Sequence, residues 1–475
     1  MKKILSTLLS MITVISFAQK KDIPGNWSGT LKLNIPMRLV FHIKDSAGGM
    51  YATMDSPEQN AFGIPCDTVT LKNDSIHIPL KKIGGSFDAA CVTQNDSLLL
   101  KGNWSQAGRQ FPIQLHKITT QIEAHKRPQE PKAPYPYLSE DITYKNTNGT
   151  VVLGATLTIP ENVKKAPAVI LISGSGQQNR DEEIFGHKPF WIIADYLSRN
   201  GIAVLRVDDR GTGKSTGDLV NANSEDFALD VMTSLNYLKT RKEIDTNNIG
   251  LIGHSEGGMI APMVAAKRKD IAFMVLLAPP AVQGKDVLLE QQFLIMESNG
   301  LSGSIAKEFR DASEKVMDIV ISAGSKEIAV QQSTDAINKW MATASKEAKE
   351  RFNAQTSGDV NAYIRKSIDE LYIPWFRYFL QYEPSKFLLR SSCPILAIFG
   401  EKDLQVVAVQ NRKPMEQIMA KSRKPSDYKV VEMKGINHMF QHCNTCTINE
   451  YVELSETFSE EALTLIGNWI KNLKK

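Results

Sequence analysis

The chain has 475 residues, 42% of them hydrophobic and 23% charged, which is apolar enough to bury the cores of two or three domains and excludes a broadly disordered chain. Fifty-six basic and 52 acidic side chains leave a net charge of +4. A chain this close to neutral offers no electrostatic case for nucleic acid or an anionic membrane as its main partner.

In chain order, residues 1–18 read as an export signal. Lys2 and Lys3 precede an apolar run over residues 4–18, and the small residues Ser16 and Ala18 stand just before Gln19. The run is shorter than the ~20 apolar residues a spanning helix needs, and no later stretch is longer and apolar enough. The expected location is therefore periplasmic or extracellular, with no integral membrane segment after signal removal. Cysteines can pair in such a compartment. There are five, Cys66, Cys91, Cys393, Cys443 and Cys446, so at least one stays unpaired within a monomer. Cys66 with Cys91, and Cys443 with Cys446, are candidate pairs.

Residues 24–118 read as an all-β domain of short β-prone segments broken by Asn, Asp and Gly turns. Gly25-Asn26-Trp27-Ser28 near its start recurs as Gly102-Asn103-Trp104-Ser105 near its end. Two like strands at opposite ends of a meander could be neighbours that close a small barrel. Trp27 and Trp104 could form a sugar platform, but are better read as core. Residues 119–138 carry Pro128, Pro131, Pro134 and Pro136, the composition of a semi-rigid linker.

From residue 139 to residue 475 the pattern alternates between strands and helices. The apolar run Ala168-Val169-Ile170-Leu171-Ile172 suits a strand buried on both faces. Further strands are expected at residues 151–159, 202–207, 248–252, 273–277, 395–399 and 428–431. Phe227, Val231, Leu235 and Leu238 mark one face of a helix, with Ser224 as its N-cap. Leu463, Ile466, Ile470 and Leu473 mark a C-terminal helix. Such alternation predicts an α/β fold with a doubly wound, mostly parallel sheet. Residues 282–391 interrupt it with a helical, aromatic-rich insertion expected to sit on the sheet and shape a pocket.

The chemistry is carried by Gly253-His254-Ser255-Glu256-Gly257-Gly258, a G-x-S-x-G sequence between a buried strand and a helix. The strand must turn sharply into the helix, so Cβ atoms beside the serine would collide. The turn lifts the Ser255 hydroxyl clear of the sheet and leaves the Glu256 amide facing an oxyanion. A serine hydroxyl needs a base. Of eight histidines, His438 follows the last expected strand in the loop where this fold carries its base, and His442 reads as an exposed loop residue. His254, adjacent to Ser255, should point elsewhere. The orienting acid is expected after the strand at 395–399, where Asp403 is preferred over Glu401. The order Ser255, Asp403, His438 differs from the chymotrypsin and subtilisin orders. A second oxyanion amide is expected from Ser173-Gly174-Ser175-Gly176, with Ser175 first and Gly176 second.

Gly213-Lys214-Ser215 resembles the end of a phosphate loop, but Asp208 occupies the position where that loop needs glycine, so nucleotide binding is rejected. His438, His442, Cys443 and Cys446 include zinc-binding residue types. His438 has a competing role, however, and the H-x-x-x-H spacing runs straight into a cysteine. No metal and no cofactor are expected.

With elbow, acid and base in this order, the chain resembles the α/β-hydrolase superfamily, and within it secreted bacterial serine esterases that join an N-terminal β-domain to a serine-aminopeptidase-type catalytic domain. The resemblance is carried by Gly174-Ser175-Gly176 with Arg180-Asp181, Asp209-Arg210-Gly211-Thr212-Gly213-Lys214-Ser215, Gly253 to Gly258, Gly400 with Asp403, and Asn437-His438. It covers residues 139–475 well and residues 24–118 loosely. Ser173 stands where many relatives have His. The resemblance implies hydrolysis of a small-molecule or carbohydrate ester through an acyl-enzyme on Ser255, without a cofactor. A serine peptidase of the same fold and a non-catalytic binder are the alternatives. Acyl length, alcohol type and oligomeric state stay open.

Overall fold

The computed structural model describes residues 22–473 except 34, 35, 47, 60, 96, 107, 120–125, 147, 162 and 357. The expected export signal lies outside the described residues. The chain forms two compact units, Met1–Ala124 and His125–Lys475.

In the first unit nine antiparallel strands form one sheet. In chain order they are β1 (Gly25–Leu31), β2 (Met37–Ser46), β3 (Gly49–Ser56), β4 (Ala61–Pro65), β5 (Thr70–Lys72), β6 (Ser75–Leu80), β7 (Gly85–Gln94), β8 (Ser97–Gln106) and β9 (Arg109–Ile118). Their spatial order is β4-β3-β2-β1-β9-β8-β7-β6-β5. The sheet curls. Phe41 on β2 and Phe87 on β7 are four strand spacings apart, about 19 Å if flat, yet their ring centroids lie 5.2 Å from each other. Apolar side chains alternate onto the concave face and meet there, as period-2 patterning requires. The two Gly-Asn-Trp-Ser strands are not neighbours, because β9 lies between them. The sheet is accordingly a half-barrel that ends on β4 and β5. Trp27 and Trp104 are both buried in its core, and the Trp27 indole N–H donates to the Ile23 carbonyl at 2.7 Å. Neither ring is a surface platform.

The second unit holds an eight-stranded sheet of β10 (Tyr137–Lys145), β11 (Val152–Pro160), β12 (Ala166–Ile172), β13 (Ala203–Val207), β14 (Ile244–His254), β15 (Met274–Leu277), β16 (Ile395–Gly400) and β17 (Tyr428–Met433), in the order β10-β11-β13-β12-β14-β15-β16-β17. β11 runs antiparallel to both its neighbours, and the strands from β13 to β17 are parallel. The helices pack on both faces. α1 (Pro189–Arg199) and α12 (Glu460–Lys471) cover one face, and α2 (Ser224–Leu238), α3 (Gly257–Lys267) and α11 (Ala408–Ser422) the other. Along β12, Ala168, Ile170 and Ile172 join one core and Val169 and Leu171 the other, which is why the strand reads as an unbroken apolar run.

Between β15 and β16 the chain forms α4 (Gly284–Ser298), α5 (Gly303–Ser322), α6 (Lys326–Thr343), α7 (Lys346–Thr356), α8 (Val360–Leu371), α9 (Pro374–Leu380) and α10 (Pro384–Leu388). Leu289, Met317, Val320, Ile364 and Ile368 give these helices a core of their own. Most of the aromatics noted in the sequence are packing residues. Phe379 and Tyr382 are buried in the main core, and Tyr363 and Tyr372 pack against the cap core.

The Pro-rich segment is docked where it is described. Arg127 donates to the carbonyls of Leu454, Phe185 and Val452 at 2.7–2.9 Å. The Gln129 side chain accepts from the amides of Thr457 and Phe458. These bonds satisfy backbone groups of a long loop, so this part of the segment is structure of the second unit rather than a spacer.

Candidate active site

The order reversal at the centre of the sheet sets β12 beside β14, so the loops after these two strands are neighbours. β14 ends at His254 and α3 begins at Gly257, leaving two residues for the turn. Ser255 sits at its apex with φ +53°, a left-handed conformation that is strained for a residue with a side chain. Its amide donates to the Leu277 carbonyl at 2.8 Å. The glycines are required as expected. A Cβ on Gly253 would lie 2.0 Å from the Gly257 carbonyl oxygen, and one on Gly257 would lie 2.1 Å from that of Ile172. Gly257→Ala should therefore cost roughly 1–3 kcal/mol of stability through backbone displacement. Urea unfolding measures this, and an unchanged midpoint would mean that the turn opens without strain.

His438 and Asp403 come together from loops 35 residues apart. His438 Nδ1 donates to Asp403 Oδ2 at 2.7 Å, and both side chains are at most 5% exposed. The other Asp403 oxygen, Oδ1, accepts from the amides of Gln405 (2.7 Å) and Val406 (2.9 Å), which leaves the carboxylate one orientation. Glu401 does not compete for the role, because it is exposed and accepts from the Gly435 amide. His442 is half exposed and pairs with Glu456. Asn437 and Gln441 bond each other through backbone and side chain and brace the turn that carries His438. Cys443 and Cys446, in the same loop, are joined in a disulfide. Nδ1 of His438 is committed to Asp403, so Nε2 is the nitrogen available to a nucleophile. Among the described residues no hydrogen bond joins it to Ser255 Oγ. Such pairs often tighten only on binding substrate.

Two contacts around the elbow escaped the sequence. His254 is buried, and its Nδ1 meets Glu182 Oε1 at 2.9 Å while its Nε2 meets the His438 carbonyl oxygen at 2.9 Å. Glu182 Oε1 also accepts from the Gly174 amide at 2.6 Å. With the Gly174 amide so engaged, the next two amides in the loop belong to Ser175 and Gly176, both exposed residues. The second contact is at Glu256, whose Oε1 accepts from Ser224 Oγ (2.6 Å) and from Trp375 Nε1 on α9 (2.8 Å). Burial pushes its carboxyl above the usual range, against these two hydrogen bonds. Ser224 is thus not the N-cap of α2. Asn223 caps it in a reciprocal box with Asp226, and the Ser224 hydroxyl is free to turn inward. No spacing rule links residue 182 to 254, or 256 to 375, so only the folded chain reveals these pairs.

The loop after β13 is built around Asp208. Its carboxylate accepts from the Arg180 side chain (2.7 and 3.1 Å), the Arg180 amide (2.8 Å) and the Lys214 amide (2.9 Å). A Cβ on Gly213 would lie 2.4 Å from Asp208 Oδ2. The lysine amide therefore faces a carboxylate where a nucleotide loop would offer it to phosphate. Next to it, Asp209 accepts from Ser173 Oγ (2.7 Å) and the Gln178 amide (3.0 Å). Burial pushes its carboxyl up to about 7 against those hydrogen bonds. A carboxyl raised on folding favours the folded state at low pH, and that contribution is lost as pH rises from about 4 through about 7. Asn at 209 would accept from Gln178 and donate to Ser173 without a charge. Asp209→Asn should therefore flatten the stability profile between pH 4 and pH 7, with ~1.4 kcal/mol at stake per pH unit spanned. Urea titrations at both limits test this, and identical slopes for both proteins would count against it.

Strand order, crossover cap and serine elbow define the class of fold: the second unit has the α/β-hydrolase fold. Residues 190–323 match the family described as serine aminopeptidase, S33. The chain is 32% identical over 172 residues to the esterase EstD of Thermotoga maritima, covering 36% of this chain and 39% of that protein. It is 29% identical over 163 residues to an acyl transferase of Photobacterium leiognathi, covering 34% and 48%. The chain thus spans less than half the length of these curated relatives. Among solved structures, the Pyrococcus furiosus esterase Pf2001 aligns over 70% of this chain and 92% of its own, at 14% identity and a TM-score of 0.40.

Proposed function

We propose that the protein is a serine esterase that cleaves carboxylic esters through an acyl-enzyme on Ser255. The observation that carries this reading is the buried 2.7 Å bond from His438 Nδ1 to Asp403, in a loop tied to the residue next to Ser255. His438 Nε2 takes the Ser255 proton as Oγ attacks the ester carbonyl carbon. Asp403 stabilises the imidazolium and holds its tautomer. The amides of Glu256 and Ser175, with Gly176 second, receive the oxyanion, each worth roughly 2.7–4 kcal/mol by analogy with other serine hydrolases. The imidazolium then protonates the leaving alcohol, and water, deprotonated by His438, releases the acid. The esterase named among the relatives supports this choice of bond.

A peptidase is the second reading, favoured by the description of the matching family. Nitrophenyl esters of graded chain length, acetylated and feruloylated sugars, and aminoacyl anilides separate the two. Esters are expected to turn over faster, and faster anilide turnover overturns the assignment. We also propose export. The residues 1–18 pattern and the disulfide in the base loop support it. Cell fractionation tests it.

A further inference from the structure

We propose that His254 and Glu182 form a buried ion pair that positions the catalytic base and the oxyanion loop on one frame, with His254 held as an imidazolium. The proposal rests on the serine-hydrolase reading above and assigns a role to two residues that reading does not use.

The argument is one of donors and acceptors. His254 Nε2 faces the carbonyl oxygen of His438, which can only accept. His254 Nδ1 faces Glu182 Oε1, which already accepts the Gly174 N–H. A neutral imidazole has one N–H, so beside an ionised Glu182 one of these two contacts would set lone pair against lone pair in a buried site. Two ring N–H groups satisfy both contacts, and the Glu182 carboxylate balances the charge. Burial alone would lower the His254 pKa, but the charge and hydrogen bond of Glu182 outweigh it and hold the group above the ordinary histidine value.

The consequence is positional. The pair holds the base loop through the His438 backbone and the oxyanion loop through the Gly174 amide, while His254 itself precedes Ser255 in the chain. One hydrogen-bonded chain, Gly174–Glu182–His254–His438, thereby spans all three parts of the proposed machinery. The space is tight: a Cβ on Gly174 would lie 3.2 Å from Glu182 Oε1 and 3.3 Å from the Ser255 Cβ. The His254 and His438 rings stand 4.8 Å apart between centroids. The charged groups facing the two rings are Glu182 and Asp403, and Tyr451 approaches Asp403 and the His438 backbone.

The test uses the full chain with three substitutions. His254→Ala removes both donors, His254→Gln keeps one that can reach the His438 carbonyl, and Glu182→Gln keeps size and removes charge. Ester kcat should fall roughly 10²-fold in His254→Ala and about tenfold in the other two, with KM within about threefold, because a displaced base costs rate rather than binding. The acid limb of kcat/KM should move up by roughly half a pH unit or more in His254→Gln, since a positive neighbour of His438 is lost. In ¹⁵N-histidine spectra of the wild type, one side chain should stay doubly protonated to pH 8, and that signal should vanish in His254→Gln. A neutral His254, or wild-type kcat and pH profile in both Gln variants, overturns the proposal. If the His254 variants do not fold, Glu182→Gln and the wild-type spectrum still decide it. Ser255→Ala separates the two readings: full ester hydrolysis there defeats the esterase mechanism, whereas the ¹⁵N signature bears on the ion pair alone.

Discussion

Ser255→Ala should lower kcat for ester hydrolysis by about 10⁶-fold, abolish covalent labelling by a fluorophosphonate, and leave the unfolding midpoint within about 0.5 kcal/mol of wild type. The reason is local. The hydroxyl sits on a two-residue turn whose geometry is enforced by Gly253 and Gly257, not by the serine side chain. Removing Oγ therefore deletes the nucleophile without disturbing the packing that shapes the elbow. Residual hydrolysis, from the oxyanion amides acting on water, should survive at a low level. Retention of labelling in Ser255→Ala would place the reactive nucleophile elsewhere and dismiss the assignment.

Asp403→Asn should lower kcat about 10⁴-fold while the protein stays folded. The two oxygens of Asp403 have different duties. Oδ1 accepts two backbone amides and Oδ2 accepts His438 Nδ1. An asparagine must keep its oxygen on the two amides, since its own N–H groups cannot face them. Its NH₂ then points at His438 Nδ1 and donates there. That bond stabilises the tautomer with the proton on Nε2, the nitrogen that must be bare to deprotonate Ser255. Glu401 cannot compensate, because it accepts from the Gly435 amide. Steady-state kinetics with a nitrophenyl ester, beside an unfolding curve, checks this. A loss below tenfold would show that His438 needs no carboxylate partner.

Legibility tracked distance along the chain. The elbow was readable because its demands are local: strand, tight turn and helix must follow within a few residues, and only glycine satisfies the contacts at 253 and 257. The alternation of apolar strands with amphipathic helices announced the layered sheet, since strands buried on both faces carry no polar alternation. Asp403 and His438 were singled out because each lies in the loop after a strand, at a fixed place in the chain order, and the structure joins the two by a hydrogen bond. Less was legible where a residue's partner comes from another element. The recurrence of Gly-Asn-Trp-Ser left open that its two strands were neighbours closing a barrel, whereas β9 separates them. Ser224 looked like a cap, yet its hydroxyl is drawn to a glutamate on the elbow. His254 was set aside by adjacency to Ser255, yet its buried ring reaches the His438 backbone carbonyl.

By itself the amino-acid order determined the periodicities and the glycine-flanked bend, because each is a property of residues within a turn, helix or strand of one another, and it determined the order in which the candidate serine, acid and base follow their strands. The tertiary structure alone decided which side chains share a proton or a carbonyl across 72, 119 and 184 positions, as Glu182 with His254, Glu256 with Trp375 and His254 with His438 do. The physical reason is that a buried polar group must be satisfied by whatever the packing brings within about 3 Å, and which partner arrives is settled only when the sheet order sets the loops side by side.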